Sequence, residues 1–184
     1  MAHRFDSPEA LAEHAARQVA LAAGAGDRLC VGYSGGLDST VLLDVLAGQR
    51  ERAGFVLEAL HVHHGLSPNA EAWADACAAF SRTLDVPFRV VRIHVDRADP
   101  AGLEGAARRE RRTALAASGA RAVALAHHRD DQAETVLLQA LRGTGLKGLA
   151  GMGPVQEALG MRWVRPFIEV PRSAIASYAR SRGL

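Results

Sequence analysis

Residues 29–39, LCVGYSGGLDS, constrain this chain more than any other stretch. An apolar run of strand length stops at Ser34-Gly35-Gly36, and a helical pattern starts at once in Asp38-Ser39-Thr40-Val41-Leu42-Leu43. A strand that empties through a glycine turn straight into a helix leaves several backbone N–H groups unpaired and pointing one way. Such a helix entrance binds anions, phosphates above all. Gly35 and Gly36 permit close backbone approach, and Ser34 and Ser39 add hydroxyl donors. Asp38 is the odd member. A carboxylate beside phosphates is repulsive unless a cation lies between them, so the turn implies Mg²⁺ together with a nucleotide. The plainer alternative is a tight turn in which Asp38 or Ser39 only caps the helix.

Strands and helices alternate around this unit. Strands are expected at 28–33, 56–62, 88–94 and 122–126, and helices at 38–49, 69–84, 103–118 and 131–141. Ahead of them Ser7-Pro8-Glu9 opens a helix, with Ser7 as cap, Pro8 in the first turn, and Leu11, Ala15 and Val19 on one face. The βαβαβαβα order predicts an α/β fold: a doubly wound parallel sheet flanked by helices on both faces. Gly143, Gly145, Gly148, Gly151 and Gly153 fall within eleven residues and mark a loop. A hairpin about Gly160 within 155–167 and a last helix over 172–182, stopped by Gly183, complete the chain. The 184 residues, 48% of them hydrophobic, suffice for one such domain.

A net charge of +2 says little about partners. Cys30 in a strand and Cys77 in a helix form no C-x-x-C, and read as core thiols of a reducing cytoplasm. There is no signal-peptide core and no apolar run of membrane-spanning length, so no membrane contact is expected.

Ligands of open α/β sheets bind at the carboxyl ends of the strands. Here those ends carry Ser34–Ser39, His61-Val62-His63-His64 and His127-His128-Arg129-Asp130-Asp131, which gathers five of the eight histidines. A histidine at a strand end can orient phosphates or move a proton. Asp131 and Glu134 have capping-box spacing, but they also lie one turn apart on a helix face, where two carboxylates suit an ammonium or Mg²⁺. Glu104, Arg108 and Arg112 share a helix face; either Glu104 pairs with Arg108 at the surface, or an arginine reaches into the cleft for phosphates or RNA. The histidines 61, 63, 64, 127 and 128 with Asp130 also leave open a metal-dependent hydrolase. A nucleotide-binding module without chemistry is the third class.

Neither G-x-x-x-x-G-K-[ST] nor a post-strand G-x-G-x-x-G occurs; the only lysine is Lys147. The S-G-G-x-D-S turn instead resembles the pyrophosphate loop of the ATP-pyrophosphatase (PP-loop) superfamily. Further segments match in order: H-V-x-H-G-L at His61–Leu66, E-x-x-A-R-x-x-R at Glu104–Arg111, H-H-x-D-D-Q-A-E-T at His127–Thr135, and R-G-x-G-x-x-G-L-x-G-M at Arg142–Met152. Arg165-Pro166-Phe167 and Arg172…Ile175…Tyr178 also fit. Together they resemble the tRNA(Ile)-lysidine synthase family. His63 stands where an Asn is common and Arg112 where a Tyr is frequent. The related sulfur-inserting tRNA-cytidine enzymes, the runner-up, would carry a C-x-x-C.

The resemblance implies an adenine nucleotide alpha hydrolase-like, Rossmann-like fold over residues 1–184. It marks the chain as a PP-loop catalytic domain, a fragment whose C-terminal tRNA-binding regions are absent. It implies a cytoplasmic ligase that uses ATP and Mg²⁺ on isoleucine tRNA with a CAU anticodon. C2 of the wobble cytidine is adenylated, and L-lysine then joins it to form lysidine, with AMP and pyrophosphate released. Carried onto this chain, ATP falls to Ser34, Gly35, Gly36, Leu37, Asp38, Ser39 and His61. Mg²⁺ falls to Asp38, lysine to Asp131 and Glu134, tRNA to Arg108, Arg111 and Arg142, and catalysis to Asp38, Arg108 and His127. A homodimer remains open.

Overall fold

A computed structural model of the chain describes residues 5, 7–143 and 150–184. The elements follow the expected order: α1 (Pro8–Ala20), β1 (Arg28–Gly32), α2 (Leu37–Ala53), β2 (Val56–His63), α3 (Ala70–Thr83), β3 (Phe88–Arg92), α4 (Gly102–Ala116), β4 (Ala122–Ala124), α5 (Arg129–Leu141), β5 (Val155–Ala158), β6 (Met161–Val164) and α6 (Arg172–Arg182). Ser7 caps α1, its Oγ accepting the Ala10 N–H at 3.1 Å, and Leu11, Ala15 and Val19 form the buried face. Gly145 and Gly148 of the glycine-rich stretch lie outside the described residues.

The sheet runs β3-β2-β1-β4-β6-β5. All neighbours pair in parallel except β5, which is antiparallel to β6 at the edge. The doubly wound sheet is therefore mostly parallel rather than wholly so. The cause is the expected hairpin. Leu159 (φ 56) and Gly160 (φ 67) make a two-residue turn that returns the chain antiparallel, whereas a parallel return needs a crossover of a dozen or more residues.

The side-chain period of two sorts the strands between two apolar layers. Leu29 and Val31, Leu57 and Ala59, and Ala122 and Ala124 point into the core shared with α1, α2 and α6. Cys30, Leu60, Val62, Val123 and Trp163 point to the opposite face, where Leu115 of α4 covers them. Both faces are dry, so the central strands read as continuous apolar runs. Among the described residues no helix is long and apolar enough to cross a membrane.

α6 is tied to α2 by a buried polar contact. The Tyr178 hydroxyl donates to Asp44 Oδ2 at 2.7 Å, and Arg182 Nε lies 3.3 Å from the same oxygen. Burial and the Asp44 carboxylate push the Tyr178 phenol upward, so it stays protonated and keeps donating. Asp44 is 6% exposed, and without the phenol its carboxylate would be desolvated with only a surface guanidinium to face. Tyr178→Phe is expected to destabilise the fold by about 1–3 kcal/mol, measured by urea unfolding. A loss within error of zero would show that the contact is not needed.

Candidate functional site

The turn between β1 and α2 does what its glycines require. Gly36 is the N-cap of α2 in extended conformation, with no side-chain cap hydrogen bond, so neither Asp38 nor Ser39 caps the helix. Gly35 sits at φ +85, and a Cβ there would lie 2.8 Å from Cys77 Sγ; conformation and space both demand glycine. The first intrahelical bond runs from Thr40 N to the Gly36 carbonyl at 3.0 Å. The amides of Leu37, Asp38 and Ser39 precede it and are the orphan donors of the helix entrance. Ser39 Oγ donates to the Gly36 carbonyl at 2.9 Å and lies 3.0 Å from Ser34 Oγ, which braces the turn.

Two histidines beside the turn have their tautomers set by what they touch. His61 Nδ1 lies 2.9 Å from the Tyr33 carbonyl, an acceptor only, so Nδ1 carries the proton and Nε2 is left as an acceptor. His128 is the opposite case. It is the N-cap of α5, its Nδ1 accepting the Asp131 N–H at 3.4 Å, while Asp131 Oδ2 accepts the His128 N–H at 2.8 Å. The capping box is thus His128 with Asp131, and α5 starts three residues earlier than the expected Asp131–Glu134 box would place it. The His128 proton then sits on Nε2, 3.7 Å from Asp38 Oδ2.

His127 belongs to neither pair, and its Nδ1 is buried without a hydrogen-bond partner. Burial first, and then the charge of Arg165, push its pKa down to about 4, so it is neutral at pH 7. His61 and His64 are held below the usual histidine range as well, again mainly by burial.

Arginines gather on the same side. Burial, with Arg108 and Arg112 nearby, lowers the pKa of Arg111. No Glu104–Arg108 ion pair forms between these described residues, so the surface-pair alternative is not what α4 adopts. Arg112 instead lays its guanidinium 5.0 Å from the centre of the Trp163 ring. Arg165 is 4% exposed and donates to the Gly153 carbonyl at 2.9 Å and to Gln156 Oε1 at 3.0 Å. Its partners are neutral oxygens, so its charge is not cancelled locally, and its Nε has no hydrogen-bond partner.

A cavity of about 430 Å³ is lined by Ser34, Gly36, Asp38, Ser39, His61, Arg111 and His127 together. Gly35 faces a second cavity of about 610 Å³ with Tyr33, Trp73, Cys77 and Phe80. Leu37, Arg108, Glu134 and Arg142 are exposed outside the linings, and Asp131 is half-buried at the start of α5. The histidines and Asp130 do not assemble as a hydrolase centre. Among the described residues, no group of three or more His, Cys, Asp or Glu is placed to hold a metal. Cys30 and Cys77 are free, buried and in separate core clusters, so no thiol pair is formed.

Gln132, Gly151, Arg165 and Arg172 lie inside the matched segments, but the motifs alone give none of them a structural role. Gln132 clamps the chain leaving the glycine-rich stretch, its Nε2 donating to the Met152 carbonyl and its Oε1 accepting the Met152 N–H, both at 2.7 Å. Gly151, at φ +67, would drive a Cβ to 2.8 Å from that amide. Arg165 braces the next turn of the same segment. Arg172 brings its Nε to 4.0 Å from Asp38 Oδ1, and its N–H lies 3.5 Å from Asp130 Oδ1. Its signal in the sequence is a cation at the first position of a helix, which the helix dipole disfavours.

Residues 11–184 match the family model described as PP-loop domain. The chain is 48% identical over 155 residues to a protein of Chromobacterium violaceum named tRNA(Ile)-lysidine synthase, covering 83% of this chain and 36% of that protein. It is 45% identical over 181 residues to one of the same name from Alkalilimnicola ehrlichii, covering 97% and 39%. It thus spans well under half the length of these relatives. Among solved structures, a U34-tRNA thiolase, NcsA, from Methanococcus maripaludis with its [4Fe-4S] cluster superposes with a TM-score of 0.76 at 20% identity, over 96% of this chain and 66% of that one. An NMN synthetase from Francisella tularensis superposes at 0.62 with 15% identity, over 95% and 70%. At those identities the likeness concerns the fold alone, the mostly parallel sheet with its flanking helices. The turn, the strand order and the family match over 11–184 agree, and the chain belongs to the PP-loop domain family.

Proposed function

We propose that this chain is the ATP-using catalytic part of a tRNA(Ile)-lysidine synthase, acting on the wobble cytidine of a CAU-anticodon isoleucine tRNA. The observation that carries the reading is one cavity lined by both the glycine turn and the pair Arg111 and His127. It occurs in a chain 45% and 48% identical to proteins of that name. Phosphates meet the orphan amides of α2, while the base to be activated meets the histidine and arginine side.

The C2 oxygen of the cytidine attacks the α-phosphorus of ATP. The bond from that phosphorus to the α–β bridging oxygen breaks, and pyrophosphate leaves, held by Ser34, Gly35, Gly36 and the amides of Leu37–Ser39. The amine of lysine then attacks C2, the C2–O bond breaks, and AMP leaves. Asp131 and Glu134 hold the lysine; the second oxygen of Asp131 is free for this, since Oδ2 is spent on the cap. Arg108, Arg111 and Arg142 hold RNA phosphates. His127, with a pKa near 4, is too weak a base to take a proton from an ammonium at neutral pH, so it serves as a neutral hydrogen-bond partner of the nucleotide. Asp38 fits a divalent cation, because its Oδ1 is buried with no hydrogen-bond partner. Mg²⁺ bound there would offset phosphate charge.

Full-length protein incubated with ATP, labelled lysine and CAU-anticodon tRNA is expected to place label in the tRNA; unlabelled tRNA would refute the reading. Asp38→Asn is expected to slow tRNA-dependent pyrophosphate release by about 10²-fold. A rate equal to that of the parent would remove Asp38 from the reaction. The His127 assignment carries a pH signature. Its folded pKa of about 4 lies below the ordinary value of 6.5, so the unfolded chain binds more protons between the two. Stability is then complete above about pH 6.5 and falls, by up to roughly 3 kcal/mol, as pH drops towards about 4. Urea unfolding of His127→Gln is expected to show a shallower fall over that window, with a remainder from His61 and His64. An unchanged slope would mean that His127 titrates normally.

A further inference from the structure

Asp38 stands where three helix entrances meet. It lies in the first turn of α2, it faces the cap of α5 through His128, and it faces the first residue of α6 through Arg172. Its Oδ1 is buried and makes no hydrogen bond. A carboxylate oxygen taken out of water without a donor is costly unless charge compensates it. The charge present is Arg172, at 4.0 Å. That distance supplies Coulomb attraction without a hydrogen bond, so the hold is reversible. The Arg172 side chain is 61% exposed, so leaving Asp38 returns a guanidinium to solvent it already meets.

The placement of Arg172 has its own cost. A cation in the first turn of a helix opposes the dipole. The backbone of that turn is fixed by Pro171 as N-cap and by Asp130, whose Oδ1 lies 3.5 Å from the Arg172 N–H. The groups facing Asp38 are therefore His128, with its proton on Nε2, and Arg172; Asp130 and Asp131 are engaged with backbone amides.

We propose that Arg172 is a positioning residue, a built-in counter-ion that holds the Asp38 carboxylate when no divalent cation is bound and competes with that cation for it. The proposal rests on Asp38 as the cation ligand. A carboxylate beside phosphates needs a positive partner, and this fold carries one of its own. A metal entering the site must replace Arg172, so the arginine raises the cation concentration needed to load the site.

The test measures ATP binding to the full-length protein at fixed ATP while Mg²⁺ is titrated, and reads the Mg²⁺ concentration at half-effect. Arg172→Gln and Arg172→Met both remove the charge at an exposed position, and each is expected to lower that midpoint about two- to five-fold. Arg172→Lys keeps the charge and is expected to stay near the parent value. A midpoint that is unchanged or raised in both charge-removing variants overturns the proposal. Asp38→Asn is the separate control for the underlying reading. Loss of the Mg²⁺ response there supports Asp38 as the ligand, and a parental midpoint overturns that assignment, and the counter-ion role with it. An unchanged Arg172→Gln midpoint beside an altered Asp38→Asn midpoint overturns the counter-ion alone.

Discussion

Parallel pairing of β1 with β2 on one side and β4 on the other is the constraint on which the site depends. Leu29 faces Leu57 across one ladder and Ala122 across the other. All three strands therefore end on one edge, where the glycine turn, His61 and His127 emerge within reach of a shared cavity. The chain leaves β1 towards β2 and β3 and later crosses back to β4, so a crevice opens beside β1 where the strand order reverses. No single motif makes a binding site here; the ladders assemble it.

The chemistry at that edge rests on complementary hydrogen-bond polarity. His61 offers an acceptor and His128 a donor, each set by the atom its other nitrogen touches. His127 is neutral because burial outweighs the nearby Asp131 carboxylate, and Arg165 pushes the same way. The positive charge comes from the arginines, which keep it at any physiological pH. The edge thus separates charge from proton handling, with fixed cations beside the neutral imidazoles of His61 and His127.

Much of this was legible from local pattern. The glycine turn, the cap at Ser7, the hairpin about Gly160 and the last helix all follow from residues adjacent in sequence. What was not legible depends on residues far apart. The sheet takes in an antiparallel edge strand because the β5–β6 hairpin finds β4 free, and no local period announces that. Asp131 looked like the start of a box with Glu134, yet the imidazole of His128 takes the cap, a role that Ser, Thr, Asp or Asn would advertise more loudly. The conflict between Asp38 and phosphate was visible, but Arg172 enters only when α6 docks on α2. Gln132 lies inside the H-H-x-D-D-Q-A-E-T segment, but its clamp on Met152 is visible only once the two are placed side by side.

The docking of α6 through Asp44 and Tyr178 has a consequence for how the molecule is made. Asp38 and Arg172 lie far apart in the sequence, so the partner of the glycine turn leaves the ribosome well after the turn itself. A nascent chain can form β1, the turn and α2 early, but its Asp38 lacks a guanidinium until residues 172–182 have folded back. Contacts of such long sequence separation form late. The edge around Asp38 is therefore completed only once α6 has formed, and a nascent chain that has not reached α6 has an unbalanced version of it.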